Sequence, residues 1–157
     1  MSFEAFLKID GIDGESKDSK HKGEIEVLSF NWGAAQPGLA TGQPVRRAGA
    51  NVSEVTVVKK IDTASPQLLL QSCGGSAAQT AVLTARKPSD SEGAPVEFLK
   101  ITMTNVVVSS ISAQGDSQTG SDPLEQVSLN FGHVEFAVTS DSGQTVMGSC
   151  GAAPSKG

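Results

Sequence analysis

The chain has 157 residues, 38% of them hydrophobic and 18% charged, with 17 glycines and no tyrosine. That is the mixture of one globular domain with its own core and many turns, and it excludes a disordered chain. Twelve basic residues against 17 acidic ones give a formal net charge of -5, which excludes a nucleic-acid surface, since that needs clustered Lys and Arg.

Phe3 to Asp10 alternates, with Phe3, Ala5, Leu7 and Ile9 on one face and Glu4, Lys8 and Asp10 opposite, and predicts a half-buried strand. Phe6 breaks the alternation, so the second face is expected to be partly covered. Gly11 and Gly14 bracket a turn. Glu15 to Lys22 reads as a solvated loop of mixed charge, with His21 exposed and no second ligand at metal spacing. Glu24 to Trp32 predicts a strand with apolar residues on both faces, Leu28, Phe30 and Trp32 on one, Ile25 and Val27 on the other. Trp32, the only tryptophan, is expected in the core. From Gly33 to Ala50 the chain turns to Gly, Ala, Pro and Thr, broken by Arg46-Arg47. This predicts an extended exposed loop, longer than most connections in a compact domain and therefore a candidate for function. Its two arginines are too small a patch for nucleic acid and suit pairing with an acidic neighbour.

Asn51 to Ile61 is β-branched and alternating, and it runs straight into the one segment with both helix ends written down. Ser65 can cap that helix, Pro66 can take the first helical position, and Gly74 can close it in the left-handed conformation. The helix, about Pro66 to Cys73, has only about two turns and depends on packing, because nucleation is costly. Leu69, Leu70 and Cys73 share the face expected to be buried, with Leu68 at its edge. Gln79 to Lys87 predicts a strand, Pro88 to Pro95 a turn cluster, and Val96 to Ile111 a long strand or a bent pair. Ser112 to Pro123 is a second polar loop. Between Leu124 and Val138 the apolar positions change from odd (Val127, Leu129, Phe131) to even (Val134, Phe136, Val138). A bulge or bend at Gly132-His133 is the simplest account, and such irregularities help a sheet curl into a barrel. Residues 139–157 read as a flexible polar tail after a folded unit spanning 1–138. The fold class is mainly β, with one short helix plugging a gap or an end of the sheets.

Several of these segments, in order, resemble the haemolysin-coregulated protein (Hcp) family, the tube subunits of bacterial type VI secretion systems. Lys8-Ile9-Asp10-Gly11-Ile12-Asp13-Gly14-Glu15-Ser16 is similar to the family's first strand and turn, and Ile25-Glu26-Val27-Leu28-Ser29-Phe30-Asn31-Trp32-Gly33 to its second strand. Lys60-Ile61-Asp62-Thr63-Ala64-Ser65-Pro66-Gln67-Leu68 resembles the approach to its single helix. Ala81-Val82-Leu83-Thr84-Ala85-Arg86-Lys87, Val106-Val107-Val108-Ser109-Ser110 and Leu124-Glu125-Gln126-Val127-Ser128-Leu129-Asn130-Phe131 resemble later strands. The resemblance runs from about Phe3 to about Val138. It departs from the family in the Gly33–Ala50 loop, with its Pro37, Pro44 and Arg46-Arg47, and after Thr139.

The resemblance implies a small two-sheet β-barrel with one helix and an extended loop, assembling into homohexameric rings. Rings stack into a tube inside a contractile sheath with a spike at the tip, small effector proteins ride in the lumen, and contraction expels the tube. It further implies a cytoplasmic pool that is then secreted; Met1-Ser2-Phe3-Glu4 lacks the basic, apolar character of a signal peptide, and no apolar run suits membrane insertion. On that reading Gln36, Leu39, Arg46 and Arg47 are the candidates for contacts between rings or subunits. Asn31, Gln114 and Asp116 are the candidates to face the lumen.

Two other functions compete. A monomeric β-barrel binding a small ligand would keep an apolar cavity. An enzyme would draw on Cys73 or Cys150 with His21 or His133, but Cys73 is expected on the buried helix face and Cys150 in the tail, where catalytic geometry could not be held. The two cysteines are too few for a disulfide framework. No catalytic residue, cofactor or metal site is expected.

Overall fold

Two long strands near the C-terminus carry the architecture. The computed structural model describes residues 3–35, 51–52, 54–88 and 95–151. In chain order the strands are β1 (Glu4–Ile9), β2 (Ile25–Val27), β3 (Ser29–Asn31), β4 (Ala34–Ala35), β5 (Asn51–Val52) and β6 (Val55–Lys60). The helix α1 (Ser65–Gly74) follows, and then β7 (Ala78–Lys87), β8 (Val96–Gln114), β9 (Leu124–Thr139) and β10 (Thr145–Gly151). The main sheet has eight strands in the order β2-β1-β7-β8-β9-β6-β3, with β10 added beside β9, and β4 pairs with β5 apart from it. Every pairing is antiparallel.

The two ends of that order are neighbours in the chain. β2 and β3 are one stretch bent at Leu28, the first half pairing with β1 and the second with β6. The Leu28 N–H donates to the Val58 carbonyl at 2.8 Å, so the sheet comes round on itself as a nearly closed barrel. The inward face follows the period of two: Leu7, Ile9, Ile25, Val55, Val57, Leu83, Ile101, Met103, Val127 and Leu129 are all fully buried. These strands are rich in Val, Ile and Leu, which pack well against a pleated surface.

The change of parity in the last strand region is present, and it is shared. On β8 the buried residues pass from Leu99, Ile101 and Met103 to Val106 and Val108; on β9 they pass from Val127 and Leu129 to Val134. Pairing runs Met103↔Val134, Thr104↔His133 and Val106↔Phe131 with no shift of register. The site is a bend rather than a bulge, marked by Asn105 in the left-handed region (φ 55) across from Gly132. A true register shift falls further along, between Val108 and Ser110.

The helix is present but set differently from its expected caps and face. Ala64 occupies the N-cap position without a side-chain hydrogen bond, and Ser65 is already helical. Gly74 is the last helical residue, while Gly75 takes the left-handed conformation (φ 72) and its N–H donates to the Gln71 carbonyl at 2.9 Å. Pro66 does lie at the start of the helix. The buried face belongs to Leu68, with Ala64 beside it, whereas Leu69, Leu70 and Cys73 are exposed. The spacing named one helical face, and the docking of α1 on β8 selected the neighbouring one. Residues 145–151, expected in a flexible tail, instead form β10, paired with β9 along its whole length.

Candidate assembly surfaces

The sequence places a charge where the core should be. Val55, Val57 and Lys59 alternate onto one face of β6, and Glu125, Val127 and Leu129 do the same on β9. The register sets Lys59 opposite Glu125, and both are buried. Lys59 Nζ bonds Glu125 Oε1 and lies 2.8 Å from Asp62 Oδ1. The Ser65 hydroxyl donates to Glu125 Oε1 at 2.6 Å and accepts the Asp62 N–H at 3.0 Å. Asp62 Oδ1 also accepts the Ala64 N–H at 3.0 Å. Ser65 therefore ties α1 to the barrel instead of capping it. Asp62 stabilises the turn before the helix. A charged pair this deep is tolerated because its hydrogen-bonding capacity is met by the turn and the helix.

A second polar cluster covers the outer face of β1. Phe6 is buried, as its break in the alternation predicts, because the His21 ring stacks on it at 4.4 Å and Arg86 lies 4.9 Å from its centroid. His21 is buried, not exposed: its Nδ1 is 3.0 Å from Glu24 and its Nε2 3.1 Å from Glu97. The polar loop folds back over the barrel wall and puts the imidazole against an aromatic ring. Arg86 grips Asp18 with two bonds, at 2.5 and 3.0 Å, and reaches Glu4 at 3.3 Å. These bonds hold the Asp18 carboxyl down to about 2 and push the guanidinium up, Asp18 acting first and Glu4 next.

The sign for stability follows from that depression. Unfolded, Asp18 titrates near the ordinary aspartate value of about 3.9. Its contribution is fully present above that pH and is lost as pH falls through about 2. Between pH 4 and pH 2 the melting temperature of Asp18→Asn should fall less than that of the unaltered chain. Parallel slopes in a thermal melt series would remove Asp18 from the acid response.

Outside the barrel, several large apolar residues stay exposed: Leu28 and Ile61 near the polar network, Leu69 and Leu70 on α1, and Val146 and Met147 on β10. Trp32 packs against the core, stacked on Phe136 at 4.6 Å, and lines an apolar slot with Val134, Gly148 and Cys150. Cys150 is half-buried in β10, and the alternation of β9 turns His133 away from the face that Val134 and Cys150 share. His21 is occupied by two carboxylates, and Cys73 is exposed on α1. The residues expected for a Cys–His pair are thus not brought together.

Of the sequence-predicted contact residues, Gln36, Leu39, Arg46 and Arg47 lie outside the described residues. Asn31 ends β3 opposite Thr56, and it is exposed. Gln114 ends β8 opposite Leu124, which pairs in turn with Lys60. The exposed Asp116 holds the following turn by accepting the Gln118 N–H at 3.0 Å. Thr56 and Lys60 are four residues apart on β6, so Asn31 and Gln114 are offset by ~13 Å along the strand direction. Among the described residues no helix is long and apolar enough to cross a membrane.

Comparison with known proteins gives one consistent answer. A family described as "Type VI secretion system effector, Hcp" matches residues 6–138. Protein hcp1 of Pseudomonas aeruginosa is 38% identical over 137 residues, covering 86% of this chain and 82% of the relative. The crystal structure of Hcp1 from Salmonella typhimurium superposes with a TM-score of 0.82 at 35% identity, covering 96% of this chain and 95% of that one. A type VI secretion system effector from Yersinia pestis gives 0.76 at 29% identity, with 94% and 99% covered.

Proposed function

The chain belongs to the Hcp family of type VI secretion proteins, and from that premise we propose that it is a structural subunit of the inner tube, without enzymatic activity of its own. Six copies close into a ring, and rings stack within the sheath beneath the spike. Small effector proteins travel in the lumen. The subunit waits in a cytoplasmic pool and leaves through the type VI apparatus. The observation that carries this reading is the set of large apolar residues left outside a barrel whose core is already filled. Leu69, Leu70, Val146 and Met147 lie between 52% and 70% exposed, which is costly for a lone subunit and natural for one that buries them against copies of itself. The rival of a small-ligand barrel meets an interior occupied by Leu7, Ile25, Leu83, Ile101 and Met103, where its ligand would have to sit. Asn31, Gln114 and Asp116 are assigned to the lumen, and Gln36, Leu39, Arg46 and Arg47 to contacts between rings or subunits.

Light scattering coupled to gel filtration should give about six times the 16.1 kDa chain mass. A monomer at micromolar concentration would refute the ring. Reversing both charges, Arg46→Glu with Arg47→Glu, should leave that mass unchanged and impair stacking and export. Each exposed ion pair contributes only about 0–1 kcal/mol, but a stacked ring repeats the contact round its circumference. Normal export of the variant would take these arginines out of the stacking contact.

A further inference from the structure

The two long strands leave two stretches with a strand neighbour on one side only. β10 pairs with β9, and among the described residues no strand lies beyond it. On the other side of the β8–β9 ribbon, β7 stops pairing at Ala78↔Val106, so the end of β8 has β9 on one side and no described strand on the other. Past the register shift, that end is Ser110-Ile111-Ser112-Ala113-Gln114, with every residue exposed except the half-buried Ile111. Neither this stretch nor Thr145-Val146-Met147-Gly148-Ser149-Cys150-Gly151 contains a charged residue or a proline. Proteins that stay single guard open edges with charge, proline or a covering element, because the free N–H and C=O groups recruit another strand. Here neither edge carries a charge or a proline, and the helix α1 packs on β8 without supplying a strand to its edge. Val146 is 66% and Met147 61% exposed, and alternation sends them to opposite faces of β10. A strand laid alongside satisfies the backbone row and brings side chains to both faces at once.

We infer that β10 of one copy pairs with the Ser110–Gln114 edge of β8 in the next copy. The inference rests on the ring reading above and names the two edges through which the ring closes. The partner is a second copy because the unguarded edges are unlike and lie on opposite sides of the ribbon, one beyond β9 and the other beyond β8. Joined head to tail, every copy uses both edges and none is left over when the ring closes. A β10-to-β10 contact would stop at two copies and leave the β8 edge open in each.

The test uses the full chain. Val146→Lys with Met147→Lys changes exposed residues only, so circular dichroism should be unchanged while the mass falls from about six chains to one. A variant that remains hexameric overturns the edge assignment and leaves the ring reading standing. An unaltered chain that runs as a monomer overturns the ring reading and the edge assignment together. A second measurement covers the case in which the lysines disturb folding. In a Cys73→Ser, Cys150→Ser background, Met147→Cys with Ser112→Cys should give a ladder of covalent oligomers with a short bismaleimide. Met147→Cys alone should give none. A covalent dimer from Met147→Cys alone, or no ladder from the pair, overturns the head-to-tail pairing.

Discussion

Replacing Lys59 with methionine should destabilise the subunit by about 3–5 kcal/mol, the usual effect of removing one partner from a buried ion pair. The Glu125 carboxylate would remain 3% exposed with the Ser65 hydroxyl as its partner and no cation beside it. The double variant Lys59→Met, Glu125→Leu should recover much of that loss, because two packed apolar side chains replace the pair without leaving a charge behind. Chemical denaturation at one fixed protein concentration reads the comparison, since assembly shifts apparent stability by mass action. A double variant less stable than Lys59→Met would mean that Glu125 supports the fold through contacts other than the lysine. Because Ser65 belongs to the same network, the loss should be accompanied by loosening of α1 against the barrel.

The second large effect separates two adjacent leucines. Leu68 is fully buried and Leu69 is 52% exposed. Leu68→Ala should lose about 2–5 kcal/mol through lost contacts and the cavity left behind. Leu69→Ala should stay within about 0.5 kcal/mol in the dissociated subunit, as surface substitutions do. Denaturation curves collected below the concentration of assembly compare the two directly. Equal effects would place α1 in a different rotation on β8.

How far the sequence could be read depends on which physical rule had a unique solution. Alternation has only two phases, so the inward faces of β1 and β9 were legible, and so was the change of phase in β9. The resemblance carried the barrel and the family. The helix face was misread because Leu68, Leu69 and Leu70 are consecutive, and a short amphipathic helix with three adjacent leucines has no unique apolar face. Which leucine goes inward is set by where α1 meets β8. Lys59 and Glu125 were visible as inward positions on their strands, but a charge at an inward position is legible only when its cross-strand partner is known. His21 failed for the same reason: its partners Glu97 and Phe6 come from strands distant in the chain. β10 was missed because Thr145 to Gly151 carries two glycines and sets its large apolar residues, Val146 and Met147, side by side instead of alternating, so pairing with β9 overrides a weak strand signal.

The bend in the ribbon constrains how this chain can change length. Asn105 and Gly132 sit across from each other, and pairing on both sides of them keeps one register. Deleting either residue alone would slip one strand against the other by one position and turn half of its apolar set outward. Deleting both would set Thr104 beside Val106 and His133 beside Phe131 with every remaining pair intact. Alternation would then run unbroken through Met103, Val106 and Val108 on one strand and Leu129, Phe131 and Val134 on the other. The ribbon would lose its bend and keep its pairing. Insertions and deletions at this point are therefore tolerable only as matched pairs, one in each strand.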